Sequence, residues 1–589
     1  MHLTNKDIAH IFRSIAAAYL LTGVNRFRTI AYQKAADTVE QMTREVYDFW
    51  ENGKLNEIEG IGPTISQHLD EHFKDPAHSY LTKQLQLVPS TVYELMKAPG
   101  IGPKKAFKLV SHFKLLDPST VVREVKKLAE DDRISGLESF GRKSQDEIIE
   151  SLEIFERRNG QDDRMSLPTA YAMSEQILQY LKKNPHVQHI DTLGSLRRMV
   201  ATIGDIDIAV VADKKDAANI IEYFINYPQV LTIEGKGPEK ASIITKGGWR
   251  VDLRVIEMRQ YGSMLQYFTG SKAHNIKLRE FALKKGYSLN EFGIKQVKDK
   301  NNISAFATEE KFYAFLGLQW VPPEIREGTD EIKLAAVKRL PDLIRLEDVK
   351  GEFHVHSSFN IEPSHDLGAD TFGKMISLAK TLQYEYLGFS EHNPSQSGHS
   401  SAQIINLIKK KQSEIKKTAL KNSFTCFNSL EVDISPDGSL AIPDEAIRYL
   451  DMMIVSIHSS FRMKKDEMTK RILKGLSYPK VKILGHPTGR LLSKREEIDA
   501  DWDAIFAFAK EKNIALEINS WPERLDLPDM MAKTAIKNGN KLILGTDAHA
   551  AYQMNNMFYG VAVARRAWAM KSDIINTKSS EEIKKWIGA

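Results

Sequence analysis

The chain has 589 residues, 42% of them hydrophobic and 27% charged, and a net charge of only +5. That length demands several domains and that composition excludes wholesale disorder, while so small a net charge says nothing by itself about a polyanionic partner. The single cysteine, Cys426, excludes an intramolecular disulfide framework and a thiolate metal cage, and neither a signal peptide nor a membrane span is read in the chain, so a cytoplasmic location is expected.

The first part of the chain reads as helical. The apolar run Ile15–Leu21 fits a helix, and two stretches beyond it repeat each other: LNEIEGIGPTISQHLDEHF from Leu55 and LMKAPGIGPKKAFKLVSHF from Leu95 align without gaps at an offset of 40. A weaker third copy, LESFGRKSQDEIIESL from Leu137, keeps Gly141 and has Ser139 at the place of the first glycine. Each copy predicts a helix, a tight glycine turn and a second helix, with Pro63 and Pro103 at helix starts. Such a start exposes backbone N–H groups that suit a phosphate. The pair resembles the helix-hairpin-helix clamps with which repair proteins grip a DNA backbone without reading its sequence. That resemblance makes Gly60, Ile61, Gly62, Gly100, Ile101 and Gly102 candidate DNA contacts, with Lys104, Lys105 and Lys108 beside them.

From about residue 165 to 260 the pattern turns to strands alternating with helices. In GSLRRMVATIGDIDIAV, which starts at Gly194, Asp205 and Asp207 lie two apart in the strand-like run Ile203–Val211. Both carboxylates then project from one face and repel each other unless a cation lies between them. WRVDLRVI places Asp252 on another alternating strand, with Arg250 and Arg254 on the same face to orient the acids when no ion is bound. Three carboxylates from two strands suit two divalent cations and phosphoryl transfer. Gly194 and Ser195 open a turn able to approach phosphates, with Arg198 as a charged clamp. The stretch from Tyr267 adds an aromatic pair, Tyr267 and Phe268, a tight turn at Gly270 and the amide of Asn275.

A proline-interrupted stretch, Val321–Glu327, and a polar helix lead to residue 350. Beyond it, strands ending in histidines or acids alternate with amphipathic helices: His354 and His356 in GEFHVHSSF, then His392, Glu431, His458, His486, Asp547 and His549. Repeated placement of imidazole and carboxylate at strand ends resembles a barrel whose C-terminal rim holds metals. A His, Asp and Glu set without cysteine suits zinc, manganese or iron in an open hydrolytic site.

Taken together, GS-x-RR, D-I-D, VDLR and YFTGS resemble the family X DNA polymerases over residues 1 to about 320, and the histidine-rich half resembles the PHP (polymerase and histidinol phosphatase) domain. The whole chain is similar to bacterial and archaeal family X polymerases with a C-terminal PHP domain. The resemblance implies a multidomain fold: an α-helical helix-hairpin-helix part, an α/β nucleotidyltransferase palm with thumb, and a distorted (β/α) barrel. The expected divisions are 1–80 and 81–160 (helical), 161–260 (palm), 261–320 (nucleotide selection), 321–349 (linker) and 350–589 (PHP). It also implies that Asp205, Asp207 and Asp252 bind two magnesium or manganese ions. Gly194, Ser195 and Arg198 would meet the triphosphate of a deoxynucleoside triphosphate, Tyr267, Phe268 and Gly270 would wall its sugar, and Asn275 would read the minor-groove edge. Arg28 and Lys34 are expected 5′-phosphate contacts. The lysine nucleophile of the family's eukaryotic repair members is missing, since His68 stands at that position and Thr64 at its neighbouring lysine, so a Schiff-base lyase is not expected by that route.

In the PHP family nine ligands hold up to three ions. Eight map onto the strand-end residues named above, with Glu431 as the bridge. The ninth normally follows H-x-H by five or six residues; here that place reads Asn360-Ile361-Glu362, which leaves His365 or Asp366 after a short insertion. Glu352 and Glu391 also replace aspartates of the family pattern. The function implied is template-directed filling of short gaps in DNA repair, on gapped or primer–template DNA, by a monomer. A 3′-to-5′ exonuclease in the PHP domain is implied with it, and an abasic-site endonuclease stays open. The alternative is a DNA-binding polymerase whose PHP domain is degenerate and structural.

Overall fold

The computed structural model describes residues 3, 5–24, 26–40, 46–51, 53, 55–58, 61–98, 100–138, 140–158, 164–298 and 303–588. Gly60 and Ser139 therefore lie outside the described residues. The N-terminal part is helical. Asn5–Thr22 and Arg26–Glu40 pack over a core that includes Phe12, Tyr32 and Leu69, and a second core around Leu95, Leu109 and Val125 follows. Pro63–Lys74 and Pro103–Phe113 start at glycine caps of nearly the same extended backbone, φ −78° and ψ 172° at Gly62, φ −74° and ψ 169° at Gly102. The repeat in sequence is thus a repeat in conformation. Arg142–Arg158 follows Gly141 directly, and the Gly141 carbonyl accepts the Gln145 N–H at 3.1 Å, so the third copy makes the same helix start without proline.

A five-stranded sheet follows in the order His189–Thr192, Ile206–Val211, Arg250–Ile256, Lys240–Thr245, Val230–Lys236. Arg250–Ile256 alternates as its sequence predicts: Val251, Leu253 and Val255 are buried, while Arg250, Asp252 and Arg254 share the other face. The strand carrying Asp207 begins at Ile206 rather than Ile203. Gly204 and Asp205 separate it from Thr202–Ile203, which pairs instead with Met165–Ser166.

Three short antiparallel strands between residues 287 and 304 and the helices Lys272–Lys284 and Glu309–Phe315 enclose a separate core. The stretch 321–349, expected to be a linker, is packed rather than free. Val321, Ile325, Ile332 and Ala335 belong to that core, and Arg326 is fully buried beside them. Apolar residues spaced between the prolines are what tie it down.

The C-terminal half is a seven-stranded parallel sheet in sequential order, from Gly351–Val355 to Leu542–Gly545. Val355 bridges to Ala548 in parallel, which brings the first and last strands together and closes the barrel. Strands such as Met452–Ser456 and Leu542–Gly545 are buried along their whole length, as parallel strands covered by helices must be. Among the described residues no helix is long and apolar enough to cross a membrane.

Candidate active sites

The parallel register sets Asp207 directly opposite Asp252, and Asp205 precedes the same strand two positions earlier. One carboxylate oxygen from each of the three lies within 4.8 Å of the others; Asp205 is exposed and the other two half-buried. Withdrawal from water, then the charges of Asp205 and Asp252, push the Asp207 carboxyl up to about 8. A cation would remove that repulsion. Arg250 partly offsets it, its Nε donating to Asp252 Oδ2 at 3.1 Å, and the Ser242 hydroxyl donates to the other oxygen. Arg254 also offsets the charge at Asp207, and its guanidinium lies 4.1 Å from the centre of the Phe268 ring.

Gly194 has φ +59°, and a Cβ there would stand 2.6 Å from Asp207 Oδ2, so only glycine lets the backbone pass this close to the carboxylates. Half-buried Ser195 follows in the short helix Gly194–Arg197. The two arginines of the motif then part. Arg197 is spent in a buried ion pair with Glu309, 2.7 Å away, which Arg326 shares at 2.6 Å. Arg198 instead donates to the Thr269 carbonyl at 2.5 Å and faces Glu327 at 3.3 Å, next to Gly270. Tyr267 and Phe268 stand edge to face, ring centres 5.0 Å apart, and Asn275 is fixed by donating to the Tyr267 carbonyl and accepting from Gln266, both at 2.8 Å. The nucleotide candidates thus form one surface beside the three aspartates.

At the barrel rim every strand end delivers a polar side chain. Glu431 is fully buried at the centre. Its Oε2 faces His354 and His392 at 3.2 Å and His356 at 3.6 Å, while its Oε1 faces His486 at 2.8 Å and His458 at 3.3 Å. Asp547 lies 3.2 Å from His356. The buried atoms His354 Nε2, His356 Nε2, His392 Nδ1, His549 Nε2 and Glu431 Oε2 have no hydrogen-bond partner. Native interiors rarely leave such atoms unsatisfied, and mutually facing imidazoles and carboxylates are a donor set that fits divalent cations. The groups close enough to share an ion include His354, His356, Glu431 and Asp547, and also Glu431, His458 and His486.

The structure brings both candidates for the ninth ligand to the rim. Asp366 reaches His392 at 3.3 Å with one oxygen and His549 at 3.4 Å with the other. His365 faces Asp433 at 3.1 Å, and it also offers a ring nitrogen within 4.8 Å of ligand atoms of His392 and His458. The place five or six residues after His356 is used otherwise, since Ile361 is buried and Glu362 pairs with His399 at 2.7 Å. Glu352 and Glu391 act as struts. Glu352 accepts the N–H and hydroxyl of Thr546, and burial pushes it up to about 8; Glu391 accepts the N–H and hydroxyl of Ser357 and pairs with the buried Lys411 at 2.5 Å.

Comparison with known proteins fits both clusters. Family models match at residues 3–75 (helix-hairpin-helix domain), 92–153 (SAM-like helix-hairpin-helix tandem), 264–327 (DNA polymerase beta thumb) and 352–521 (PHP domain). The DNA polymerase/3′-5′ exonuclease PolX of Bacillus subtilis (strain 168) is 30% identical over 587 residues, covering 99% of both chains. The chain belongs to the PolX family of X-type DNA polymerases. Partial likenesses agree with the two halves. DNA polymerase lambda of Arabidopsis thaliana is 24% identical over 55% of this chain and 62% of its own, and a probable phosphatase of Clostridium acetobutylicum is 30% identical over 31% of this chain and 73% of its own. The chain is accordingly a DNA-binding polymerase whose domains imply dependence on divalent metal ions, with a PHP domain C-terminal to its thumb.

In the two hairpins Gly62 and Gly102 have open space where a Cβ would stand, whereas a Cβ on Gly100 would sit 3.4 Å from Thr232 of the palm sheet, at φ +76°. Ile61 and Ile101 turn their side chains inward, so a DNA contact at these positions would fall to the backbone of the turn. Both side chains are buried in the helical cores, and their N–H groups bond back to Ile58 and Ala98. An apolar plug between the glycines holds the turn onto its own helices. Lys104 is exposed, Lys105 lies 3.9 Å from Glu147, and Lys108 donates to the Glu138 carbonyl. Arg28 and Lys34 are exposed. His68 accepts or donates to Tyr32 at 2.6 Å and stacks on Tyr80 at 3.9 Å, so an imidazole, not an amine, occupies the position of the family's nucleophile.

Sequence reasoning passed over three supporting carboxylates. Glu517 accepts from His354 Nδ1 at 2.7 Å with one oxygen and from the His486 N–H at 2.6 Å with the other, tying two rim positions together. Asp433 holds His458 Nδ1 at 2.6 Å and His365 at 3.1 Å. Asp526, pushed up to about 6 by burial, accepts the Thr488 N–H at 3.1 Å. The spacing that pairs Asp205 with Asp207 also pairs Glu431 with Asp433, so that signal was present in the sequence.

Proposed function

We propose that this protein fills short gaps in damaged DNA by template-directed, two-metal nucleotidyl transfer, and that its barrel is a 3′-to-5′ exonuclease, as the name of its Bacillus subtilis relative says of that protein. The observation supporting the reading most directly is the placement of Asp205, Asp207 and Asp252 as one cluster beside Gly194 and Arg198. Two magnesium or manganese ions held by these aspartates would supply charge neutralisation to the entering and leaving oxygens. The chain's own residues do the rest. Arg198 and the backbone at Gly194 and Ser195 bind the triphosphate, Tyr267, Phe268 and Gly270 wall the sugar, and Asn275 orients the base pair from the minor groove. In the barrel, zinc, manganese or iron would be held by His354, His356 and Asp547 on one side of Glu431, by His458 and His486 on the other, and by His392, His549 and Asp366 at a third place. The third set weighs against a degenerate, merely structural barrel. Primer extension on a gapped duplex in magnesium, run beside 3′-end hydrolysis in manganese or zinc, tests both halves; a protein that does neither sinks the reading.

DNA is expected to bind through the hairpins, by phosphates and not by bases. Affinity for a gapped duplex should then fall steeply with salt, the logarithmic slope steepening by about 0.9 per phosphate contacted, and vary little with sequence. Valine at Gly62 and Gly102 meets no neighbour and no disfavoured φ, so the fold should tolerate it while the methyls keep the strand away. Affinity is expected to drop about tenfold with a shallower salt slope. An unchanged binding isotherm in the folded double variant would return these turns to plain helical hairpins.

A further inference from the structure

One side chain of the barrel reaches the nucleotide surface. Met557–Arg566 is a helix on the barrel wall, where Gly560 lies against Ser520, and its last residue points into the polymerase half. The Arg566 side chain is only 8% exposed. Its Nη1 donates to the backbone carbonyl of Arg198 at 2.9 Å, to Glu327 Oε1 at 2.8 Å and to the Glu324 carbonyl at 3.3 Å, while its Nε is held by Asp529 at 2.7 Å. The neighbouring Arg565 pins the same segment through Glu324 at 2.7 Å and the Ile344 carbonyl at 2.8 Å.

Glu327 is therefore shared. Its Oε1 faces Arg566 at 2.8 Å and Arg198 at 3.3 Å, so the barrel arginine holds it the more tightly. We propose that Arg566 is a positioning residue for nucleotide binding: it neutralises Glu327 and anchors the Arg198 backbone, which leaves the Arg198 guanidinium available to a triphosphate. Without Arg566, Glu327 would keep Arg198 as its remaining ion-pair partner among the described residues and would hold that guanidinium back from an incoming polyanion. The barrel is then part of the polymerase's nucleotide site as well as a separate centre. The inference rests on the reading of Arg198 as a triphosphate contact.

The test is steady-state incorporation of dTTP opposite adenine in a gapped duplex by the full chain. Arg566→Ala should raise KM for dTTP about tenfold with kcat within about twofold, and adding Glu327→Gln to that variant should bring KM back to within about threefold of wild type. A general loss of packing would not be rescued by removing a second charge, so an Arg566→Ala defect that Glu327→Gln leaves in place overturns the proposal. Arg198→Ala separates the two readings. If it raises KM while folded Arg566→Ala does not, the inference fails and the Arg198 reading stands; if Arg198→Ala leaves KM unchanged, the Arg198 reading fails and takes the inference with it. Should Arg566→Ala not fold, Asp529→Ala removes the acceptor that holds the Nε of Arg566, and an about threefold rise in KM is expected from it. An unchanged KM there overturns the proposal.

Discussion

Alanine at Asp205 and Asp207 together is expected to lower nucleotide addition at least about a thousandfold while leaving affinity for gapped DNA within about twofold. Only Asp252 would remain of the three carboxylates within 4.8 Å of one another, and one acid on a strand face cannot hold two cations in place. The duplex is gripped elsewhere, at the hairpins. Extension at the wild-type rate would mean that the cluster is not the site of nucleotidyl transfer. The same cluster sets a pH dependence in the metal-free protein. Asp207 holds its proton up to about 8 in the folded chain because it is withdrawn from water and flanked by Asp205 and Asp252. In the unfolded chain an aspartate titrates near about 4. Between those values the folded state binds more protons, so the stabilisation is present on the acid side and is lost as pH rises through the folded value. With a chelator present, the melting temperature should fall more steeply toward alkaline pH in the wild type than in Asp207→Asn, and saturating magnesium should remove the difference. Parallel curves in chelator would show that these carboxylates are not strained against one another.

What the sequence made legible follows from where its signals are local. The gapless repeat carried the hairpins, because a glycine cap and a proline at the next position dictate a conformation within four residues; Gly62 and Gly102 accordingly share one. Strand alternation carried Asp207, Asp252 and the rim pair His354 and His356, since a period of two fixes the face. It could not say which arginine of Arg197 and Arg198 faces the nucleotide surface, because the choice is made by Glu309, over a hundred positions away in the chain. Nor could it choose between His365 and Asp366, adjacent residues in an insertion whose path is set by Asp433, His392 and His549. Ile61 and Ile101 illustrate the opposite case. They sit in a motif named for its DNA contact, yet a two-glycine turn needs an apolar residue between the glycines to anchor it. The packing of 321–349 onto the preceding core was hidden by its prolines and charges, which resemble a linker until Arg326 finds Glu309.

Replacing Glu431 with alanine is expected to cost the barrel more than any other single change. This one carboxylate presents Oε2 to His354, His356 and His392 and Oε1 to His458 and His486, so two sets of imidazoles lose their common counter-charge at once. In the metal-free state burial works against charge on His354, and the charges of Glu517, Asp547 and Glu431, in that order, overcome it and drive His354 well above the ordinary histidine value. A bridging anion neutralises two cations, whereas a terminal ligand can be replaced by water, so the losses should be graded. Glu431→Ala should release most of the bound metal and lower 3′-end hydrolysis at least about a thousandfold. Glu517→Gln keeps the shape but no longer accepts two charge-assisted bonds equally, and should cost about ten- to a hundredfold in metal affinity. Asp366→Ala, which removes an acid on the open side of the rim, should fall in the same range, and His365→Ala should stay within about twofold because Asp433 already holds that ring. Metal content by mass spectrometry and single-turnover hydrolysis would be read on the same samples, with primer extension as the control for an intact chain. A Glu431→Ala protein that keeps its metal and its nuclease would overturn the bridging assignment. A His365→Ala protein that falls as far as Asp366→Ala would move the ninth ligand back by one residue.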